Sequence, residues 1–178
     1  METLNKNAVS IFVLSFLLLS FNSTYSQNKK DTTNENYYWA TVGIGLGTIG
    51  DGKGTSFSLN ANIAYQFDKN MLSLRVVDVG KVFGKNLTDY GLLYGYSLNS
   101  TSFFSSIGAG FAIVSGIKDN GLFNKSENIG PTVGLPIEAK LFWRPITAFG
   151  LGLYFFADVN PENFFAGTTL SLQFGKLR

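Results

Sequence analysis

From Tyr37 onward, hydrophobic and polar residues take turns along the chain. In Thr55 to Phe67, TSFSLNANIAYQF, one face collects Phe57, Leu59, Ala61, Ile63, Tyr65 and Phe67, and the other Ser56, Ser58, Asn60, Asn62, Ala64 and Gln66. A period of two is the mark of a strand with one apolar side. It recurs in eight segments, at about 37–48, 55–67, 71–80, 89–98, 102–115, 130–143, 148–157 and 165–175, each bounded by turn residues and none with a helical period. The third, where Val76, Val77 and Val79 crowd together, alternates least clearly. Most segments have the length that crosses a bilayer at a tilt, roughly 9 to 11 residues.

The connections alternate as well. Those after the second, fourth and sixth segments are tight: DKN at Asp68 to Asn70, NST at Asn99 to Thr101 and RPIT at Arg144 to Thr147. The others, IGDGKG, KVFGKNLT, GIKDNGLFNKSENI and VNPENFF, are longer and hold most of the charged side chains. An even strand count, with short turns at one end and long loops at the other, is the layout of a transmembrane barrel whose chain enters and leaves on the short-turn, periplasmic side.

Direction follows from the two faces. One carries Val42, Ile44 and Leu46; Leu72, Leu74 and Val76; Leu92, Tyr94 and Tyr96; Ile107, Ala109, Phe111 and Ile113; Val133, Leu135, Ile137, Ala139 and Leu141; Leu151, Leu153 and Phe155; Leu170 and Leu172. If that face pointed to a soluble core, the opposite one would be wet and rich in lysine and glutamate. It carries instead Gly43, Gly45, Gly47, Ser58, Asn60, Asn62, Gly91, Gly95, Ser106, Gly108, Gly110, Gly134, Gly150 and Gly152. Small uncharged residues suit a crowded interior, where they offset Phe104, Phe142, Tyr154 and Phe156 on the same face; eight strands enclose just enough room for side chains to fill. The apolar face is therefore expected to meet lipid. Tyr38, Tyr65, Phe67, Tyr96, Phe103, Trp143, Phe149 and Phe174 lie in the outward phase at the short-turn end, as an interfacial girdle requires.

The N-terminal residues add an address. Lys6, the apolar run VSIFVLSFLLLSF from Val9 to Phe21, and the small residues Thr24 and Ser26 before Gln27 have the layout of a secretory signal peptide. The run is shorter than the ~20 residues of a spanning helix. Residues 1–26 are thus expected to be cleaved, 27–36 to form a disordered periplasmic leader, and 37–178 to form the barrel. The chain has no cysteine or histidine, which removes disulfides, the commonest general base and the commonest metal ligand. A net charge of +2, with lysines scattered singly, gives no basis for nucleic-acid binding.

Taken together, the mature chain resembles the small outer-membrane β-barrel proteins of Gram-negative bacteria, and its leader and ending are similar in style to those of the Bacteroidota. In the last segment Gly167, Leu170 and Leu172, followed by Phe174, fit the family's insertion signal of glycine, two residues, an apolar residue, one residue and an apolar residue. Gly175-Lys176-Leu177-Arg178 then follows the aromatic, where many members of the family stop. The resemblance implies an all-β, eight-stranded antiparallel up-and-down transmembrane barrel, with outer-membrane lipid and the barrel-insertion machinery as its partners.

Candidate chemistry is sparse. Arg75, Glu138 and Lys140 are charges placed on the inward face within strands. Buried charge is costly unless paired, so an ion-pair cluster is expected, with Asn60, Asn62 and Gln66 as hydrogen-bond partners. Nothing supplies a nucleophile with an oriented base, and the enzymes of the resembled architecture typically use histidine; the expectation is a protein that is not an enzyme and has no catalytic residue, cofactor or metal. Asp119, Asn120, Asn124 and Glu127 lack the ordered spacing of a calcium loop. The longest loop, Ser115 to Gly130, carries Leu122 and Phe123, which are expected either to touch an extracellular partner or to fold over the barrel mouth. Three functions stay open: a structural or adhesive membrane protein acting through its loops, a small channel or carrier, and a soluble, lipocalin-like exported binding barrel.

Overall fold

The computed structural model describes residues 36–50, 54–80, 85–118, 127–161 and 164–177. They form eight strands: β1 (Tyr37–Ile49), β2 (Ser56–Phe67), β3 (Asn70–Gly80), β4 (Lys85–Asn99), β5 (Phe103–Lys118), β6 (Glu127–Ile146), β7 (Phe149–Val159) and β8 (Phe165–Lys176). Each pairs antiparallel with the next, and β1 pairs with β8, so the sheet closes into an up-and-down barrel. Closure gives every strand two hydrogen-bonded neighbours, the condition for crossing a medium that offers no partners of its own.

The hydrophobic pattern sets the register. Ile44 stands between Leu59 of β2 and Leu170 of β8, and Leu74 between Ile63 and Leu92. A slip of one residue would exchange the faces of an entire strand. The apolar face points outward: Phe111 is 71% exposed and Leu74 60%, whereas Phe104 and Phe142 are fully buried. β3, the least regular segment in sequence, alternates cleanly, with Val77 and Val79 inside and Val76 outside.

Glycine makes room for what points inward. Across the strand ladders Gly91 faces Arg75, Gly108 faces Glu138, Gly152 faces Phe142 and Gly167 faces Phe156. A Cβ at Gly167 would come within 2.6 Å of the Phe156 ring, and one at Gly134 within 2.4 Å of the Asp158 carboxylate. The filled lumen is layered. At the long-loop end Val77, Val79, Leu87, Val114, Phe156 and Phe165 form an apolar cap, with Ile49 and Ile129 packed against it. At the short-turn end Trp39, Ala64, Met71, Phe104, Phe142 and Leu177 form an apolar floor. Polar side chains occupy the space between.

Three strands outrun their expected lengths. β4 starts at Lys85, β5 runs to Lys118 and β6 starts at Glu127, because the ladder Lys85 to Lys118 to Glu127 continues past the alternating residues. The loop expected over Ser115 to Gly130 is shorter for the same reason. β6 meets β7 only from Leu135 opposite Val159, so among the described residues 127–134 are paired on the β5 side alone. The tight turn expected at Arg144 to Thr147 is also displaced. β6 continues to Ile146, with a register shift between Trp143 and Ile146, and the turn falls on Thr147 and Ala148. The irregularity accommodates Pro145, which has no amide proton to give a ladder.

Candidate functional site

The polar middle layer is where chemistry would have to reside. Arg75 reaches across the lumen from β3. Its guanidinium forms a buried ion pair with Asp89 on β4, donates to the Ile137 carbonyl on β6 at 3.2 Å and to the Ala157 carbonyl on β7 at 3.3 Å. On β6, Lys140 and Glu138 form a second buried pair at 2.7 Å. Glu138 also accepts from Ser73 at 3.1 Å and from the Tyr154 hydroxyl at 2.8 Å, while Lys140 donates to Asn62 on β2 at 3.2 Å. These bonds tie β2 and β3 to β6 and β7 through the middle of the barrel. A hydroxyl network completes the layer: Asn60 accepts from Thr169 at 2.7 Å and from Ser171 at 3.2 Å on β8.

The three charges expected in the lumen all point into it, where they divide between two buried ion pairs that lie within electrostatic reach of each other. Arg75 takes Asp89, which the sequence reading did not single out, and Glu138 takes Lys140. Of the three amides expected to serve them, Asn62 does; Asn60 serves β8, and Gln66 donates to the Asp68 carbonyl at 2.6 Å. Two further inward charges lie just beyond the expected segments. Asp158 is fully buried and accepts from Asn160 at 2.9 Å. Arg144 lies in the floor, its guanidinium donating to Gln173 at 2.9 Å and to Asn99 at 3.3 Å. In each case phase carried the signal. Asp89 is in step with Gly91, Asp158 with Phe156, and Arg144 with Phe142.

Leu170, Leu172 and Phe174 point outward on β8 and are exposed, while Gly167 points inward against Phe156. Leu122 and Phe123 lie outside the described residues. Among the described residues no group of three or more acidic, histidine or cysteine side chains is placed to hold a metal. The arrangement fills and cross-braces the lumen.

No protein-family model and no curated protein sequence matches the chain. Solved structures do. Neisserial surface protein A (NspA) aligns with a TM-score of 0.62 at 11% identity, over 78% of this chain and 96% of its own. The N-terminal β-barrel domain of Pseudomonas aeruginosa OprF aligns at 0.59 and 16% identity, over 78% and 96%. Ail, the attachment invasion locus protein of Yersinia pestis, aligns at 0.59 and 13% identity, over 79% and 99%. At such identities the likeness is one of fold: this chain is a closed, eight-stranded antiparallel barrel of the kind found in outer-membrane proteins.

Proposed function

We propose that this chain is an integral outer-membrane protein whose lumen serves as its structural core and whose loops make contact with an extracellular partner. The observation that carries the reading is the layered lumen. An apolar cap and an apolar floor enclose a cross-braced polar layer, so the interior is spent on packing and the exposed loop end is left for recognition. The outward apolar face supplies the membrane address, and its aromatic girdle fits the interface of a bilayer. Two features favour the loop end as the working surface. The β5–β6 hairpin rises past the point where β7 stops pairing, and a structure of the same fold is that of an attachment invasion locus protein. The cap and the floor, one at each end of the lumen, support a filled interior over a channel.

The test is attachment by cells that display the protein. Such cells are expected to adhere to immobilised host-surface proteins or glycans more than cells without it. Leu122→Ser with Phe123→Ser should remove the gain while the barrel still shows the heat-modifiable migration of a folded protein. Equal adhesion with and without the displayed protein across those surfaces contradicts the reading.

A further inference from the structure

Past Phe174 the strand continues, still paired with β1, to Lys176, and the alternation turns Leu177 into the lumen. Gly175 has φ of 146°, and a Cβ there would come within 2.3 Å of the Tyr38 carbonyl oxygen and 2.7 Å of Trp39 Cα. A side chain at this position would have to push β1 away. Gly175 and Leu177 are then fastened to the β6–β7 turn. Gly175 N donates to the Ala148 carbonyl at 3.1 Å and Leu177 N to the Thr147 carbonyl at 2.9 Å. Arg144, carried inward where the β6 register shifts, donates from Nη1 to the Leu177 carbonyl at 2.8 Å. Its guanidinium carbon stands 3.8 Å from the centre of the Phe104 ring and 5.0 Å from that of Trp39. Leu177 itself is fully buried, packed in the floor with Trp39, Met71, Phe104 and Phe142.

We propose that Leu177 is a latch that closes the short-turn mouth of the barrel, its side chain the stopper and Arg144 its catch, hinged on the ladder-paired Gly175 and Lys176. Leu177 lies past the β1–β8 ladder, which ends with Lys176 opposite Tyr38, and it is held by its amide bond to Thr147, by the Arg144 guanidinium on its carbonyl and by its apolar side chain in the floor. It can therefore leave the floor without any strand pair separating, the behaviour of a locally opening unit. The floor would then be a door. Access to the polar layer from that side is set by the latch, while the cap keeps the far end shut. This holds whatever the loops bind.

Because the chain contains no cysteine, an introduced one reports its own accessibility. Met71→Cys places a thiol in the floor and Val79→Cys one in the cap, and both proteins are refolded into lipid vesicles and exposed to a membrane-impermeant maleimide from the short-turn side. With the latch intact both thiols should be protected. Adding Leu177→Asp or, separately, Gly175→Val should speed labelling of the floor thiol by about tenfold or more and leave the cap thiol protected, with the barrel still heat-modifiable. Should the aspartate variant not fold, Leu177→Ala, which keeps the backbone bonds, is expected to give a smaller rise in the same direction. Unchanged labelling of the floor thiol in folded variants, or equal acceleration at floor and cap, overturns the latch.

Discussion

Arg75, Glu138, Phe142 and Phe156 each have a glycine facing them across the ladder, and that exchange helps make the interior dense enough to hold ion pairs. Arg75 and Asp89 show the consequence. Their side chains are removed from solvent, so each has given up hydration that its partner replaces. The net value of such a pair is modest, but deleting one member leaves the other buried and uncompensated, at about 3–5 kcal/mol. Asp89→Asn and Arg75→Met are each expected to lower the free energy of unfolding, read from urea titration in lipid vesicles, by that order. The double variant should lose less than the sum of the two, because residues in contact do not act independently. Additive losses would mean that the pair is not coupled. At this scale the sequence was partly legible. The inward phase of Arg75, Glu138 and Lys140 could be read from alternation, but who pairs with whom is decided by register and by the reach of side chains across the lumen, and neither leaves a trace in one strand's pattern.

Strand ends were harder to read than strand faces, and the reason is physical. Lipid and lumen impose alternation only where a strand lies between them. Lys85 to Thr88 and Glu127 to Gly130 are strand, yet they extend past the apolar belt, where the backbone ladder persists without hydrophobic contrast. Asp89, Arg144 and Asp158 were misplaced or missed because a charge was read as the end of a segment. The faces allow a direct test, since the chain has two tryptophans, Trp143 at 50% exposure on the outer wall and Trp39 at 2% in the floor. In Trp39→Phe the fluorescence of Trp143 should be quenched strongly by lipids brominated near the headgroup end of their acyl chains. In Trp143→Phe that of Trp39 should be nearly unaffected. Both residues sit at the short-turn end, so depth does not confound the comparison. Equal quenching, or quenching of Trp39 alone, would show the sheet to be inside out.

For the whole molecule the architecture was the most legible level. Eight alternating segments, a small-residue face and unequal connections leave few ways to close a sheet, and the observed order is the simplest of them. What the pattern did not reveal is how the lumen is shut. The cap gathers residues from β3, β4, β5, β7 and β8, and the floor takes Leu177 from beyond the last ladder; both depend on which strands end at the same height. The central claim is that this interior is a packed core and not a passage. It is tested most directly by reconstituting the pure protein in a planar bilayer and recording current under applied voltage. No sustained conductance is expected, since eight strands leave no continuous water once the cap, the braced layer and the floor are in place. Stable, reproducible single-channel steps from the folded protein would contradict it.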